Sequence, residues 1–175
     1  MSGNSTRLGV ALGTDPFHAA MPGLLIAGFL GGVIAGAIAA RWAGARRKAA
    51  VLSTVCVMLL TAAMGRAWGN PAMMLGGMVV AMGALNNTFQ RGGEVSVGLT
   101  YMTGALVKLG QGIAAALAGE KDSGSGAWAA LWAGLLAGAV LGAFLQDRLP
   151  MGCLWIAAAW SMLMTAIALR LPAES

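Results

Sequence analysis

The chain is poor in charge and in the residues that usually perform chemistry. Only 10% of its 175 residues are charged, whereas about 25% is usual for a soluble domain. It has one histidine, His18, and two cysteines, Cys56 and Cys153, which lie in separate apolar runs. Such scattered residues offer neither a disulfide framework nor metal-ligand spacing. No apolar run holds a carboxylate pair or a serine beside a base, so we expect no enzymatic activity, no metal and no cofactor.

Apolar residues dominate instead. They make up 58% of the chain, against about 45–50% in soluble domains, and they fall in runs near the roughly 20 residues that a helix needs to cross a bilayer. The predicted spans are residues 22–42, 49–67, 72–90, 127–145 and 151–171. The sequence therefore predicts an all-α, polytopic transmembrane helix bundle in a single membrane domain, residues 1–175. About five full spans are accompanied by short re-entrant or interfacial helices.

The net charge of +5 would indicate a nucleic-acid partner in a soluble chain. Here four of the eleven basic residues crowd the short basic loop, residues 41–48, between the first two spans. Basic residues concentrate in the cytoplasmic loops of membrane proteins. We therefore expect the lipid bilayer, and no nucleic acid, as the partner.

An internal repeat is visible in two places. The pattern M-[ST]-G-x-x-x-[RK]-L-G occurs at residues 1–9, the first motif, and at residues 102–110, the second motif. In the same order, A-G-F-L-G-G-V-I-A-G-A at 27–37 matches A-G-L-L-A-G-A-V-L-G-A at 133–143. Two matches in one order predict a duplication. The first, truncated repeat covers residues 1–67 and the second covers residues 72–171.

The orientation of the two repeats depends on the weaker helical stretch at 103–118. If it is re-entrant or interfacial, the halves are inverted, and eight basic residues lie on the side of the basic loop, against Arg7, Arg66 and Arg148 on the other. If it crosses fully, this asymmetry becomes weaker. Because Lys and Arg favour the cytoplasmic side, we favour the inverted repeat.

Two glycine stripes belong to the repeated segments. They are Gly28, Gly32 and Gly36, and their counterparts Gly134, Gly138 and Gly142. Glycine at four-residue spacing lies on one helix face and lets another helix approach closely. We favour packing within the chain, with a pore lining or a homodimer through either stripe as the alternative.

Polar residues gather at the end of the third span and around both motifs. The predicted substrate-binding residues are Asn86, Asn87, Gln90, Arg91, Glu94, Thr100, Tyr101, Thr103, Gly104 and Lys108, together with Ser2, Gly3, Asn4 and Arg7 of the first motif. Polar groups at membrane depth often mark a site, and inverted halves place substrates at their pseudo-two-fold centre. The sequence thus predicts a transporter or channel for a small polar or anionic solute. The alternatives are an interfacial loop, and a non-transporting scaffold associating through its glycine faces.

A family resemblance rests on the same residues. The stretch G-E-V-S-V-G-L-T-Y-M-T-G-A-L-V-K-L-G-Q at 93–111, after A-L-N-N-T-F-Q-R, resembles the YoaK family of uncharacterised bacterial inner-membrane proteins, as does M-S-G-N-S-T-R-L-G at 1–9. The resemblance implies a multi-pass inner-membrane protein of about six helices, with no established activity. Family members have a helix before the first motif, so we expect that this chain lacks it and that the natural start lies before Met1.

Overall fold

The computed structural model describes residues 1–88, 90–91, 94–95, 100–120 and 124–171, with the backbone alone at 90–91 and 94–95. Within these residues the chain is almost entirely helical. The α-helices are α1 (Ser2–Thr14), α2 (Ala20–Ala43), α3 (Arg47–Ala67), α4 (Pro71–Leu85), α5 (Met102–Leu117), α6 (Ser125–Arg148) and α7 (Cys153–Arg170). Short 3-10 helices at Pro16–Ala19 and Gly44–Arg46 precede α2 and α3. A two-stranded ladder of β1 (Gln90–Arg91) and β2 (Glu94–Val95) follows α4.

The predicted all-α membrane bundle is confirmed. Three stretches of the described residues are long and apolar enough to cross a membrane, namely Pro16–Ala67, Ser125–Arg148 and Cys153–Arg170. The first of them contains both α2, of 24 residues, and α3, of 21. Each of these two helices matches the length that a bilayer requires, about 20 residues.

Local signals set the ends of the first helices. Gly44 has a φ of +53° at the end of α2, a conformation that side chains disfavour. Between α3 and α4, Gly69 has a φ of +67°, and the side chain of Asn70 accepts a hydrogen bond from the backbone N–H of Met73 at 3.0 Å. Pro71 then occupies the first position of α4, where its missing N–H costs nothing.

The third predicted span proves shorter than expected, because α4 ends at Leu85 rather than at residue 90. Asn86 Nδ2 donates to the Met82 carbonyl at 2.9 Å, and Thr88 Oγ1 donates to the Leu85 carbonyl at 2.7 Å. Such side chains compete with the helix for its backbone groups. The 15 residues of α4 extend about 22 Å, less than the roughly 30 Å of a bilayer core.

The chain divides into two compact units. Unit 1 comprises Met1–Ser96 and Leu154–Ser175, and unit 2 comprises Val97–Cys153. The predicted repeat boundary, at 67–72, falls inside unit 1, and the repeat remains a prediction. Unit 2 consists of α5 packed against α6.

In unit 1, α2, α3 and α4 pack together around a buried cluster of Val55, Ala81 and Ala84. The last helix, α7, packs on α3. Cys56 Sγ donates to the Ala158 carbonyl at 3.7 Å, and Ser161 Oγ donates to the Leu52 carbonyl at 3.4 Å.

Glycine allows α2 and α4 to run side by side in close contact. A Cβ atom at Gly32 would collide with the backbone of Val80, and one at Gly36 would lie 2.8 Å from the Ala84 carbonyl oxygen. Residue numbers rise together along both helices, so α2 and α4 are parallel. The first glycine stripe therefore packs within the chain, as favoured from the sequence.

Candidate functional site

The polar end of α4 lies beside a part of α2 that is well separated from the basic loop. Asn87 Nδ2 donates to the carbonyl oxygen of Val33 in α2 at 3.0 Å. Val33 precedes Arg41, the start of the basic loop, by eight residues, which is about 12 Å of helix. In a hydrocarbon core about 30 Å thick, this depth is close to the middle.

The contact of α4 with α3 gives the same distance between the end of α4 and the basic loop. Ala84, in the last turn of α4, belongs to one buried cluster with Val55 of α3. Val55 follows Arg47, a residue of the basic loop and the first of α3, by eight residues, again about 12 Å. Because two helices place it alike, the end of α4 is an interior feature of unit 1.

Three consecutive polar side chains are buried at this point. Asn87 is 2% exposed, Thr88 is 6% exposed and Asn86 is 8% exposed. Besides its bond to Val33, Asn87 Nδ2 lies 3.3 Å from the Ala84 carbonyl, and both asparagines take part in further interactions. A buried amide is costly unless it is hydrogen-bonded. The Asn87 side chain thus ties α4 to α2 in an otherwise apolar interior.

These three residues follow the last residue of α4, Leu85, and the chain is no longer helical there. The strands β1 and β2 pair antiparallel, with Gln90 opposite Val95 and Arg91 opposite Glu94. The side chains of Gln90, Arg91 and Glu94 lie outside the described part of the chain, so their place in the predicted site remains a prediction. The structure brings together Asn86 and Asn87 of that set.

The second motif belongs to unit 2. Thr100 is half-buried just before α5, Tyr101 is 65% exposed at the first turn, and Thr103 and Lys108 are exposed along the helix. Gly104 is buried, because the Tyr101 ring occupies the space where a Cβ atom at residue 104 would lie. The glycine of this motif therefore has a packing role in the turn that opens α5.

The first motif opens α1 in unit 1. Ser2 and Gly3 are exposed in its first turn, and Asn4 Nδ2 makes a weak bond to Met1 Sδ at 3.5 Å. Of the predicted residues here, Arg7 alone borders a cavity of about 410 Å³ between α1 and the start of α2. The cavity is lined by Thr6, Arg7, Val10, Ala11, Thr14, Asp15, His18 and Pro22.

Two of these lining residues were missed in the sequence. Asp15 Oδ2 lies 2.7 Å from His18 Nδ1, while Asp15 Oδ1 accepts a hydrogen bond from the Phe17 N–H at 3.2 Å. The signal available was Asp15-Pro16, a helix-capping pair, with His18 three residues after the aspartate. Nowhere in the described residues, this cavity included, do three His, Cys, Asp or Glu side chains come together as a metal site would require.

Comparison with known families decides what the chain is related to. The model of a family described as DUF1275, a protein of unknown function, matches residues 1–167. The chain belongs to the DUF1275 family. The matched region includes both motifs and runs into α7, so the membrane helices are part of what defines the relationship.

The DUF1275 assignment supplies no activity. No curated protein and no solved structure matches the chain. The predicted membership of an uncharacterised family is confirmed, whereas the YoaK resemblance and the missing first helix remain predictions.

Proposed function

We propose that this DUF1275 protein is a multi-pass transporter or channel of the bacterial inner membrane that conducts a small polar or anionic solute. The observation that supports it is the end of α4, where three buried polar side chains at membrane depth are followed by non-helical backbone. Such backbone is tolerated at that depth only when it is buried in protein or lines a water-filled cavity.

The lengths of the neighbouring helices fit this proposal. The helices before and after the β1–β2 ladder, α4 and α5, have 15 and 16 residues, and both are short for a full span. Transporters commonly build their solute sites from interrupted helices at the interface of inverted repeats. In our proposal the two repeats are inverted, and the solute site includes the polar end of α4.

The charges of the segment favour an anion. Arg91 and Lys108 are cationic and Glu94 is the one carboxylate between them in the sequence. A net positive charge attracts solutes of opposite sign as they approach. We therefore place small anions first among the solutes to be tested.

The test is thiol accessibility at the ladder after α4. In a background without Cys56 and Cys153, Gln90→Cys and Glu94→Cys are treated in membranes with an impermeant thiol reagent from each side. Val51→Cys is the dry control, since Val51 is 0% exposed, and Trp68→Cys is the wet control, since Trp68 is 67% exposed in the α3–α4 turn. We expect the ladder cysteines to react like the wet control.

Solute entry into proteoliposomes is the companion measurement. Acetate, phosphate, glycerol and urea are compared by stopped-flow light scattering against protein-free liposomes. We expect one of them to enter faster with the protein present. If ladder cysteines react no faster than Val51→Cys and no solute enters faster, the transport proposal is overturned.

A non-transporting scaffold is the second candidate, and one observation favours it. Asn87 donates to backbone carbonyls of both α2 and α4, as expected of a side chain that holds two helices together. A scaffold would associate through an open glycine face. Since α4 covers the first stripe, the stripe on α6 is the one left for a homodimer.

Disulfide cross-linking in membranes tests that association. Gly138→Cys, on the exposed face of α6, is expected to form dimers under mild oxidation. The control variant Val51→Cys, at a position that is 0% exposed, is expected to form none. Equal cross-linking of the two variants would refute a dimer through α6.

A further inference from the structure

We propose that the basic loop and the end of α7 together bind the phosphate headgroups of anionic phospholipids in the membrane leaflet next to the loop. This headgroup site consists of Arg41, Trp42, Arg46, Arg47, Lys48 and Arg170. The inference goes beyond the proposed transport, because lipid binding requires neither a solute nor a pathway across the membrane. It is therefore tested independently of solute entry.

Three arginines of the headgroup site offer free hydrogen-bond donors. Arg41 and Arg46 in the basic loop and Arg170 at the end of α7 are exposed. None of the three has a hydrogen-bond or ion-pair partner among the described residues. A guanidinium carries five N–H donors in a planar fork that fits two oxygens of a phosphate. The donors of these three side chains can therefore bind a phosphate group from outside the protein.

The positive charge of the headgroup site is not balanced by carboxylates. Arg47 and Lys48 are half-buried, take part in other interactions and add two positive charges. The sequence has no aspartate or glutamate between Asp15 and Glu94, and none in α7. Glu174 lies outside the described residues. Even with Glu174 and a terminal carboxylate counted as negative, the five cations leave an excess of three positive charges.

The tertiary structure brings Arg170 to the same end of unit 1 as the basic loop. Helix α7 runs antiparallel to α3, since Ser161 contacts Leu52, whereas Ala158 contacts Cys56. Arg170 follows Ser161 by nine residues, about 14 Å of helix, and α3 begins five residues before Leu52, about 8 Å. Helix α7 thus extends about 6 Å past the start of α3, to the level of the basic loop.

The headgroup site lies at the boundary between hydrocarbon and water. Arg41 and Trp42 belong to the last turn of α2, and Arg47 is the first residue of α3. Both helices match the length that a bilayer requires. Trp42 is 89% exposed, and tryptophans at the ends of spans lie at the level of the lipid headgroups. A lipid phosphate therefore fits this position better than a free phosphate ion does.

Control of membrane topology explains only part of this arrangement. Topology requires that Lys and Arg lie on the cytoplasmic side. A headgroup site requires in addition that the cations be exposed, without competing partners and at one level, as Arg41, Arg46 and Arg170 are. Clusters of four to eight such cations beside a transmembrane helix bind anionic headgroups, and each cation strengthens binding about fivefold.

The experiment is native mass spectrometry of the purified full chain in detergent with equimolar phosphatidylglycerol and phosphatidylcholine of the same acyl chains. We expect the wild type to retain phosphatidylglycerol over phosphatidylcholine by at least about tenfold. The double variant Arg41→Gln/Arg46→Gln is expected to lower this preference to about twofold or less, because two of the exposed cations are gone.

The matched control removes the same charge elsewhere. Arg7→Gln/Arg148→Gln changes two exposed arginines, one on α1 and one at the end of α6, and is expected to keep the preference of the wild type. Arg41→Lys/Arg46→Lys retains the charge and is expected to keep most of it. Size-exclusion chromatography of each variant shows whether the fold is retained.

Arg170→Gln tests the contribution of the tertiary structure. We expect the preference for phosphatidylglycerol to fall about fivefold, although Arg170 is far from the basic loop in the sequence. If Arg170→Gln behaves as the wild type does, α7 is not part of the site. High salt should weaken the preference in the wild type, because exposed charges are screened.

Three results would overturn the proposal. The first is equal retention of the two lipids by the wild type. The second is an equal loss of preference in the two Gln double variants, which would show a dependence on total charge alone. The third is displacement of phosphatidylglycerol by excess inorganic phosphate, which would make the occupant a free anion. Solute entry into proteoliposomes is a separate measurement, and none of these results bears on it.

Discussion

The two glycine stripes have almost the same sequence but different surroundings. On α2, Gly32 and Gly36 are buried against α4, and a Cβ atom at either would meet its backbone. On α6, Gly138 and Gly142 are exposed, and a Cβ atom at either would meet no described atom of unit 2 within 4 Å. A glycine stripe thus permits close packing, but the stripe alone does not specify its partner.

The difference arises from what α4 contributes. The tight turn at Gly69–Pro71 returns the chain along α3, so that α4 also reaches α2. It brings a glycine of its own, since a Cβ atom at Gly83 would collide with the Phe29 carbonyl of α2. Glycines of both helices therefore allow the close approach of α2 and α4.

The largest expected effect is that of a large side chain at the centre of the covered stripe. Gly32→Leu must separate α2 from α4, because its Cβ atom alone would meet the Val80 backbone. Overpacking of this kind costs about 3 kcal/mol. We expect the melting temperature in detergent to fall by about 5–10 °C, with a loss of monodisperse protein in size-exclusion chromatography.

The matched variant on the open stripe is Gly138→Leu. We expect its melting temperature to stay within about 2 °C of the wild type, since surface changes usually cost less than about 0.5 kcal/mol. Equal losses in the two variants would mean that the α6 stripe is covered as well, and would remove the contrast.

A smaller effect is expected from removing the amide that joins α4 to α2. Asn87→Ala loses the hydrogen bond to the Val33 carbonyl, and bonds between membrane helices contribute about 1 kcal/mol. Thermal unfolding should show a decrease of about 3 °C. The control Asn4→Ala loses only a contact to the Met1 sulfur and should leave the melting temperature unchanged. If the melting temperature of Asn87→Ala also equals that of the wild type, the hydrogen bond from Asn87 to Val33 contributes nothing to stability.

The smallest effect concerns the glycines of the two motifs. Gly104→Ala requires the Tyr101 ring to move, whereas a Cβ atom at Gly3 would meet nothing within 4 Å in the described residues. Because the Tyr101 side chain is largely exposed and can rotate, we expect a cost of about 0.5 kcal/mol for Gly104→Ala and none for Gly3→Ala. Thermal unfolding of Gly104→Ala in a Tyr101→Ala background checks the reason, since the cost should disappear there.

Much of the fold was available from local sequence. The apolar runs predicted both ends of α2, α3, α6 and α7 to within three residues, and Asn70-Pro71 predicted the start of α4. The end of α4 was placed five residues late. Asn86 and Thr88 are compatible with helix, and only their bonds to the preceding carbonyls show that they end it.

The polar end of α4 was predictable in part, whereas the predicted substrate-binding role of its residues stays a prediction. The sequence indicated Asn86 and Asn87 as candidate site residues, because they are polar residues at the end of an apolar run. Their distance from the basic loop could not be predicted from the sequence, because it depends on which residues of α2 and α3 lie beside them. His18 and Asp15 were missed because neither belongs to a motif, and their meeting with Arg7 requires α1 to fold back on the start of α2.

The sequence by itself determined that this is a membrane protein of glycine-rich helices, since its runs of about 20 apolar residues match the thickness of a bilayer core. It also determined most helix ends, through glycine, proline and asparagine acting on their nearest neighbours. The tertiary structure alone decided which glycine stripe is covered, how deep the polar end of α4 lies, and that Arg7 shares a cavity with His18. The first two depend on contacts between helices that are not neighbours in the chain, and the third depends on how α1 folds back on the start of α2. Local propensities do not encode such contacts.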